Sequence, residues 1–132
     1  MEQLSQRQRV TEYIRDRYAA EAEHLWAKYP NYAVFRQPAS RKWFALVMDV
    51  PRNRLGFEGG GDVDIMDVKC GALMVGSLLA QDGFLPAYHM SKSSWISIVL
   101  DDCVPDERVE LLLAMSYDSV EPKRKGKERA DA

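Results

Sequence analysis

Apolar residues recur at three- and four-residue spacing from Val10 through Ile14, Tyr18, Ala22, Leu25, Trp26 and Tyr29. One stripe of that period predicts a long amphipathic helix over residues 5–28, with Glu12, Arg15, Arg17, Glu21 and Glu23 on its remaining surface. Ser5 and Gln8 fit a capping box at its start. Pro30 disfavours helical geometry at Tyr29, which sets the expected end. Trp26 lies on the stripe and is expected in the core.

The pattern then shifts toward a period of two. Ala33 to Gln37 is a short strand candidate, and Trp43 to Val50 a stronger one, because WFALVMDV is nearly all apolar. Strict alternation puts Phe44, Leu46 and Met48 on one face and Trp43, Ala45 and Val47 on the other. PRNRLGFEGGG reads as a loop or long hairpin connection, and Val63 to Lys69 as a third strand. Ala72 to Ala80 looks helical, with Leu73, Met74, Leu78 and Leu79 on one side and Asp82-Gly83 closing it. Leu85 to Met90 and Trp95 to Leu100 read as two strands around the polar turn Ser91-Lys92-Ser93-Ser94. Pro105 suits the start of a final helix, with Asp106 and Glu107 at its positive end and Val109, Leu112, Leu113, Ser116 and Val120 facing inward.

The order is α-β-β-β-α-β-β-α. Short connections imply antiparallel pairing, so the expected fold is a two-layer α+β domain with helices on one face of an antiparallel sheet. A chain of 132 residues accommodates one such domain, expected over residues 1–120, and no internal repeat is visible. Residues 121–132 are polar and aperiodic, and are expected to be a basic, disordered tail.

Composition narrows the function classes. No window approaches the ~20 apolar residues of a membrane span, and MEQLSQRQRV is too polar for a signal peptide. A cytoplasmic protein without a membrane partner is expected. Cys70 and Cys103 are not in a Cys-x-x-Cys motif and are expected as reduced thiols. The net charge is −2; residues 121–132 hold five of the 18 basic and three of the 20 acidic residues, so the rest, 13 basic and 17 acidic, carries −4. That acidic balance gives poor support to non-specific nucleic-acid binding, although local basic patches remain open.

Leu85 to Leu100 concentrates candidate chemistry, with His89, Lys92 and Trp95 close to an apolar run. Cys70 or Cys103 with His89 would be the ingredients of a nucleophile and base, but no third orienting group is evident, so no catalytic residue is assigned and no enzyme is expected. Asp62, Asp64 and Asp67 lack calcium-loop spacing and read as a solvated strand edge, so neither a metal nor a cofactor is expected. FEGGGDVDI places its glycines before a strand, with no helix start to cradle phosphate. Nucleic-acid contact could use Arg41, Lys42, Arg52, Arg54, Lys69 and Lys92 at strand ends and turns, with His89 and Trp95 as ring partners. Trp43 and Trp95, as large aromatics on strands, are equally suited to packing.

Five short pieces in order carry a resemblance: Arg41-Lys42-Trp43-Phe44-Ala45, Asp67-Val68-Lys69-Cys70, Pro86-Ala87-Tyr88-His89-Met90-Ser91-Lys92 followed by Trp95, Val104-Pro105-Asp106-Glu107, and Ser116-Tyr117. With them the chain resembles the MmcQ/YjbR family over roughly residues 29–120. YPNYAVFRQ and VPRNRLGFEGGGDVDI are similar to its Firmicutes-type members. The resemblance implies a frataxin-like (CyaY-like) α+β fold and a DNA-binding role of double-wing type, in which strand hairpins contact the duplex. It implies no catalytic activity. Carried onto this chain, the positions to test are Lys42, Lys69, His89, Lys92 and Trp95, with Arg41 beside them. An iron-binding acidic ridge, which a frataxin-like fold raises, is not supported, because Arg15 and Arg17 interrupt the acids of the first helix. Two other readings stand beside DNA binding: a protein-interaction or homo-oligomerising module using an exposed sheet edge, and a small-molecule pocket around Cys70, Tyr88 and His89.

Overall fold

Trp43–Pro51 forms β2, which pairs antiparallel with Ala33–Arg36 (β1) on one side and Asp62–Lys69 (β3) on the other. In the computed structural model, which describes residues 3–122, β3 pairs in turn with Trp95–Val99 (β5), and β5 with Phe84–Pro86 (β4). The sheet order is β1-β2-β3-β5-β4. Three helices complete the expected α+β order: Gln6–Tyr18 (α1), Ala72–Leu79 (α2) and Asp106–Ser119 (α3). The tail's residues 123–132 lie outside the described residues.

Both sheet faces are covered. Ala45, Val47, Met66, Val68, Ile96 and Ile98 point to one side, where they pack with Val10 and Ile14 of α1, Leu78 of α2 and Val109, Leu112 and Leu113 of α3. Leu46, Met48, Val50, Ile65 and Val99 point to the other, against Tyr32 and the partly buried Trp26, Trp43, Tyr88 and Met90. Phe44 and Trp43 both depart from the expected alternation, Trp43 packing with Leu46 and Met48 and not with Ala45 and Val47. Ala45 opposes Phe35 while Trp43 opposes Arg36, so Phe44 is an extra residue in β2. Such a bulge lets neighbouring residues share a side, and Phe44 joins Ala45 in the helix-side core, edge-on to Tyr18 and Tyr117.

The first helix is much shorter than its apolar stripe predicts. The capping box of Ser5 and Gln8 starts it as expected, but Ala19 takes a left-handed conformation (φ 55°) and caps it, its N–H bonding Arg15 O. Tyr18 has by then reached Phe44 and Tyr117 at the end of the sheet, where further helix would have no core to cover. The chain instead turns along β1, pairing Glu23 with Val34, and carries Trp26 to the face opposite the helices. The first strand candidate of the later hairpin, Leu85 to Met90, is also shortened. Strand pairing stops at Pro86, which has no N–H to donate, and His89 at φ 69° cannot be extended. In α2, Val75 and Leu78 face the core, while Leu73 is 94% exposed.

Asp67 corrects a further expectation. β3 is the centre of the sheet, not an edge, and Asp67 is fully buried on the face opposite the helices. The true edges are guarded. Glu23 occupies the outer hydrogen-bonding side of β1 at Val34, and β4 is three residues ending in proline. The edge that strand addition would require is therefore short on both sides.

Candidate functional site

The antiparallel order brings one set of strand ends together. The start of β2, the ends of β1 and β3, the start of β5 and the end of β4 all lie at one end of the sheet, as Arg36 opposite Trp43 and Lys69 opposite Trp95 show. The connections there are residues 37–42, 70–71 and 87–94. With the strand termini they carry Arg36, Arg41, Lys42, Lys69 and Lys92 and not one carboxylate. The connections at the opposite end, residues 52–61, 80–83 and 100–105, with the start of β3, hold Glu58, Asp62, Asp82, Asp101 and Asp102. Five cations that look scattered along the chain thus gather at one end of the sheet, whereas the other end mixes these five carboxylates with Arg52 and Arg54.

The expected site residues divide within this arrangement. Lys42 and Lys92 are exposed and Lys69 is half-buried; none forms an ion pair among the described residues. Arg41 is exposed but bound to Glu23 at 3.5 Å, and Glu23 also holds Arg36 at 3.1 Å. Arg36 lies 5.9 Å from the centre of the Trp43 ring. Ser116 of α3 fixes the strand ends. Its buried hydroxyl donates to Phe44 O (2.6 Å) and accepts from Lys69 N (2.9 Å), joining β2 to β3 just behind Lys42 and Lys69. Trp95 is only 8% exposed and pairs with Lys69, so it supports the surface and does not form it. His89 is exposed at the tip of the loop, its ring 4.1 Å from that of Tyr88. Arg52 and Arg54 lie at the opposite end, apart from the lysines.

Cys70 is not brought to Tyr88 and His89. It packs against the helix-side core, whereas Tyr88 packs on the other face. Burial pushes the Cys70 thiol up, which keeps it protonated and a poor nucleophile. Among the described residues no group of three His, Cys, Asp or Glu side chains is placed to hold a metal ion, and no helix is long and apolar enough to cross a membrane.

The face opposite the helices carries a feature that the strand pattern alone does not reveal. A cleft of about 330 Å³ opens between Trp26, Tyr29 and Tyr32 on one side and His89 and Met90 on the other. Leu46 and Met48 form its floor, and Trp43 stands at the basic end. Trp26 meets Trp43 and Tyr32 edge-on, at 5.8 and 5.9 Å between ring centres, and Tyr29 stacks on Tyr32 at 4.7 Å. Burial raises the Tyr32 phenol above its ordinary value, so it stays a neutral hydroxyl. A second hollow of about 280 Å³ shares Tyr29, Tyr32 and His89 and continues toward Arg54 and Asp62. The density of aromatics between residues 26 and 43 was a usable signal, but the helix expected over 5–28 hid it by assigning Trp26 to the other face.

A five-stranded α+β domain with a basic sheet end and an aromatic cleft on the face opposite its helices is the class these features define. The chain belongs to the YjbR family, whose model matches residues 8–119. It is 35% identical over 111 residues to the Bacillus subtilis (strain 168) protein YyaQ, covering 84% of this chain and 94% of YyaQ. The crystal structure of a Pseudomonas syringae protein superposes with a TM-score of 0.84 at 36% identity, covering 87% of this chain and 98% of that one. A Deinococcus radiodurans protein shares the fold, with a TM-score of 0.64 at 19% identity over 90% of this chain and 85% of its own.

Proposed function

We propose that this protein binds DNA or another nucleic acid without catalysing a reaction on it, using Lys42, Lys69 and Lys92 as phosphate contacts. The observation that supports the reading is the carboxylate-free row of strand ends and connections at one end of the sheet. Phosphates respond to local charge, and a cluster of five cations around the single carboxylate Glu23 attracts them despite the net charge of −2. Arg41 adds to the row but is partly neutralised by Glu23. His89 shapes the loop that presents Lys92, and Trp95 backs it.

Fluorescence anisotropy of labelled oligonucleotides, titrated at several salt concentrations, tests this. Saturable binding is expected, with affinity falling linearly in log-log coordinates by roughly 0.9 per phosphate contacted on a duplex. Lys42→Ala and Lys92→Ala should each weaken binding and reduce the slope by about one. No saturation at low salt and ~100 μM protein, where even non-specific affinity is visible, would overturn the reading.

A further inference from the structure

We infer that the aromatic cleft receives an unpaired base, so that the preferred nucleic acid is single-stranded; this rests on the nucleic-acid reading above. Three structural features converge. First, the cleft is walled by rings: Trp26, Tyr32 and Trp43 meet edge to face around an apolar floor of Leu46 and Met48. Such walls suit a planar ring, and base–aromatic stacking is the sequence-tolerant way in which single strands are held. Its volume, about 330 Å³, is at the small end of ligand-binding cavities.

Second, the charge at the Trp43 end of the cleft favours an anionic occupant there, the carboxylates Asp49 and Asp62 lining instead the adjoining hollow. Trp43 directly follows Lys42, and Met90 lies two residues before Lys92; both lysines lack ion-pair partners among the described residues. Lys92 is also close enough to act electrostatically on Asp67, which faces Leu46 of the floor across the β2–β3 ladder. Aromatic cages also bind organic cations, but here Arg36 already lies over Trp43 and the neighbouring basic residues repel a second cation. A ring tethered to phosphate satisfies both halves of the surface.

Third, the connection to the phosphate row is continuous, since Trp43 belongs to both the cleft and the basic sheet end. A paired base could not enter while its strand lay on the lysines; an unpaired one could.

The test is a thymidine oligonucleotide carrying one central 2-aminopurine, compared with its duplex form, using the full chain. The inference expects tighter binding of the single strand and a change in 2-aminopurine emission on saturation. Tyr29→Ala and Tyr29→Leu, at a half-exposed position outside the phosphate row and so safe for folding, should each weaken single-strand binding by about tenfold while leaving duplex binding and the salt slope unchanged. Equal affinity for both forms, with no emission change and no effect of either variant, would overturn the cleft assignment while leaving phosphate contact intact. Absence of binding to either form would overturn the nucleic-acid reading itself.

Discussion

Ser97 donates its hydroxyl proton to the Asp67 carboxylate, and both residues are fully buried in neighbouring strands of the sheet. The same Ser97 oxygen accepts from Tyr88 N at 3.0 Å, so a central carboxylate helps to hold the loop that carries His89 and Lys92. The other carboxylate oxygen, Oδ2, is buried with no hydrogen-bond partner. Burial disfavours the charged form and raises the Asp67 pKa to about 7, against the lowering effects of the Ser97 hydrogen bond and the Lys92 charge.

Asp67 therefore makes stability depend on pH in a direction opposite to that of a paired surface carboxylate. Its folded pKa of about 7 exceeds the ordinary 3.8, so folding takes up a proton between those values. The Asp67 contribution to stability is full below pH 3.8 and falls as pH rises toward 7, by up to about 4 kcal/mol. Asp67→Asn keeps an acceptor for Ser97 and removes the charge. Urea denaturation should show this variant more stable than the parent at pH 8 and nearly equal at pH 4; an equal difference at both pH values would refute the assignment.

Ser97→Ala removes the donor to Asp67 and the acceptor of Tyr88 N in one step. Leaving buried polar groups unpaired costs about 1–3 kcal/mol each. The Ser97 bond is also the largest influence holding the Asp67 pKa down, so the fall in stability should extend to higher pH. Amide exchange at Tyr88 should quicken more than exchange at Ile65 in β3. Uniform quickening across the sheet would mean that Ser97 supports only global stability.

Much of this was legible in the chain. The order of eight elements and the inward stripe of α3 follow from hydrophobic period, and Val109, Leu112, Leu113, Ser116 and Val120 are all buried as expected. The overrun of α1 was not legible, because Ala22, Leu25 and Trp26 happen to continue a helical period after a cap that carries no glycine. Asp67 looked like Asp62 and Asp64, since only the strand order places it at the centre of the sheet. The basic end was hidden for the same reason: Lys42, Lys69 and Lys92 become neighbours only once the antiparallel register is known.

Gly83 and Gly60 should respond oppositely to alanine. Gly83 sits at φ 92°, and a Cβ there would stand 2.5 Å from Val104 Cγ2, while its carbonyl accepts from Val99 N. Left-handed strain and the clash together should cost about 2 kcal/mol or more. Gly60 lies outside the left-handed region with nothing within 4 Å of a Cβ, so alanine there should be neutral or stabilise by up to about 1 kcal/mol. Thermal melts of the two variants check both, and a larger loss at Gly60 would contradict the loop geometry.

Glu23→Gln tests the basic sheet end from the opposite direction to the lysine deletions. Glu23 holds Arg36 at 3.1 Å and Arg41 at 3.5 Å, and its backbone pairs with Val34. Glutamine keeps the backbone bridge and much of the hydrogen bonding but removes the one negative charge held by these arginines. Half-exposed ion pairs contribute about 0–1 kcal/mol, so stability should change little. Nucleic-acid binding, by contrast, should strengthen at low salt and show a steeper salt slope, because Arg36 and Arg41 become free to meet phosphates. An unchanged slope, with the fold intact by circular dichroism, would place the bound strand away from the β1–β2 connection and confine phosphate contact to Lys69 and Lys92.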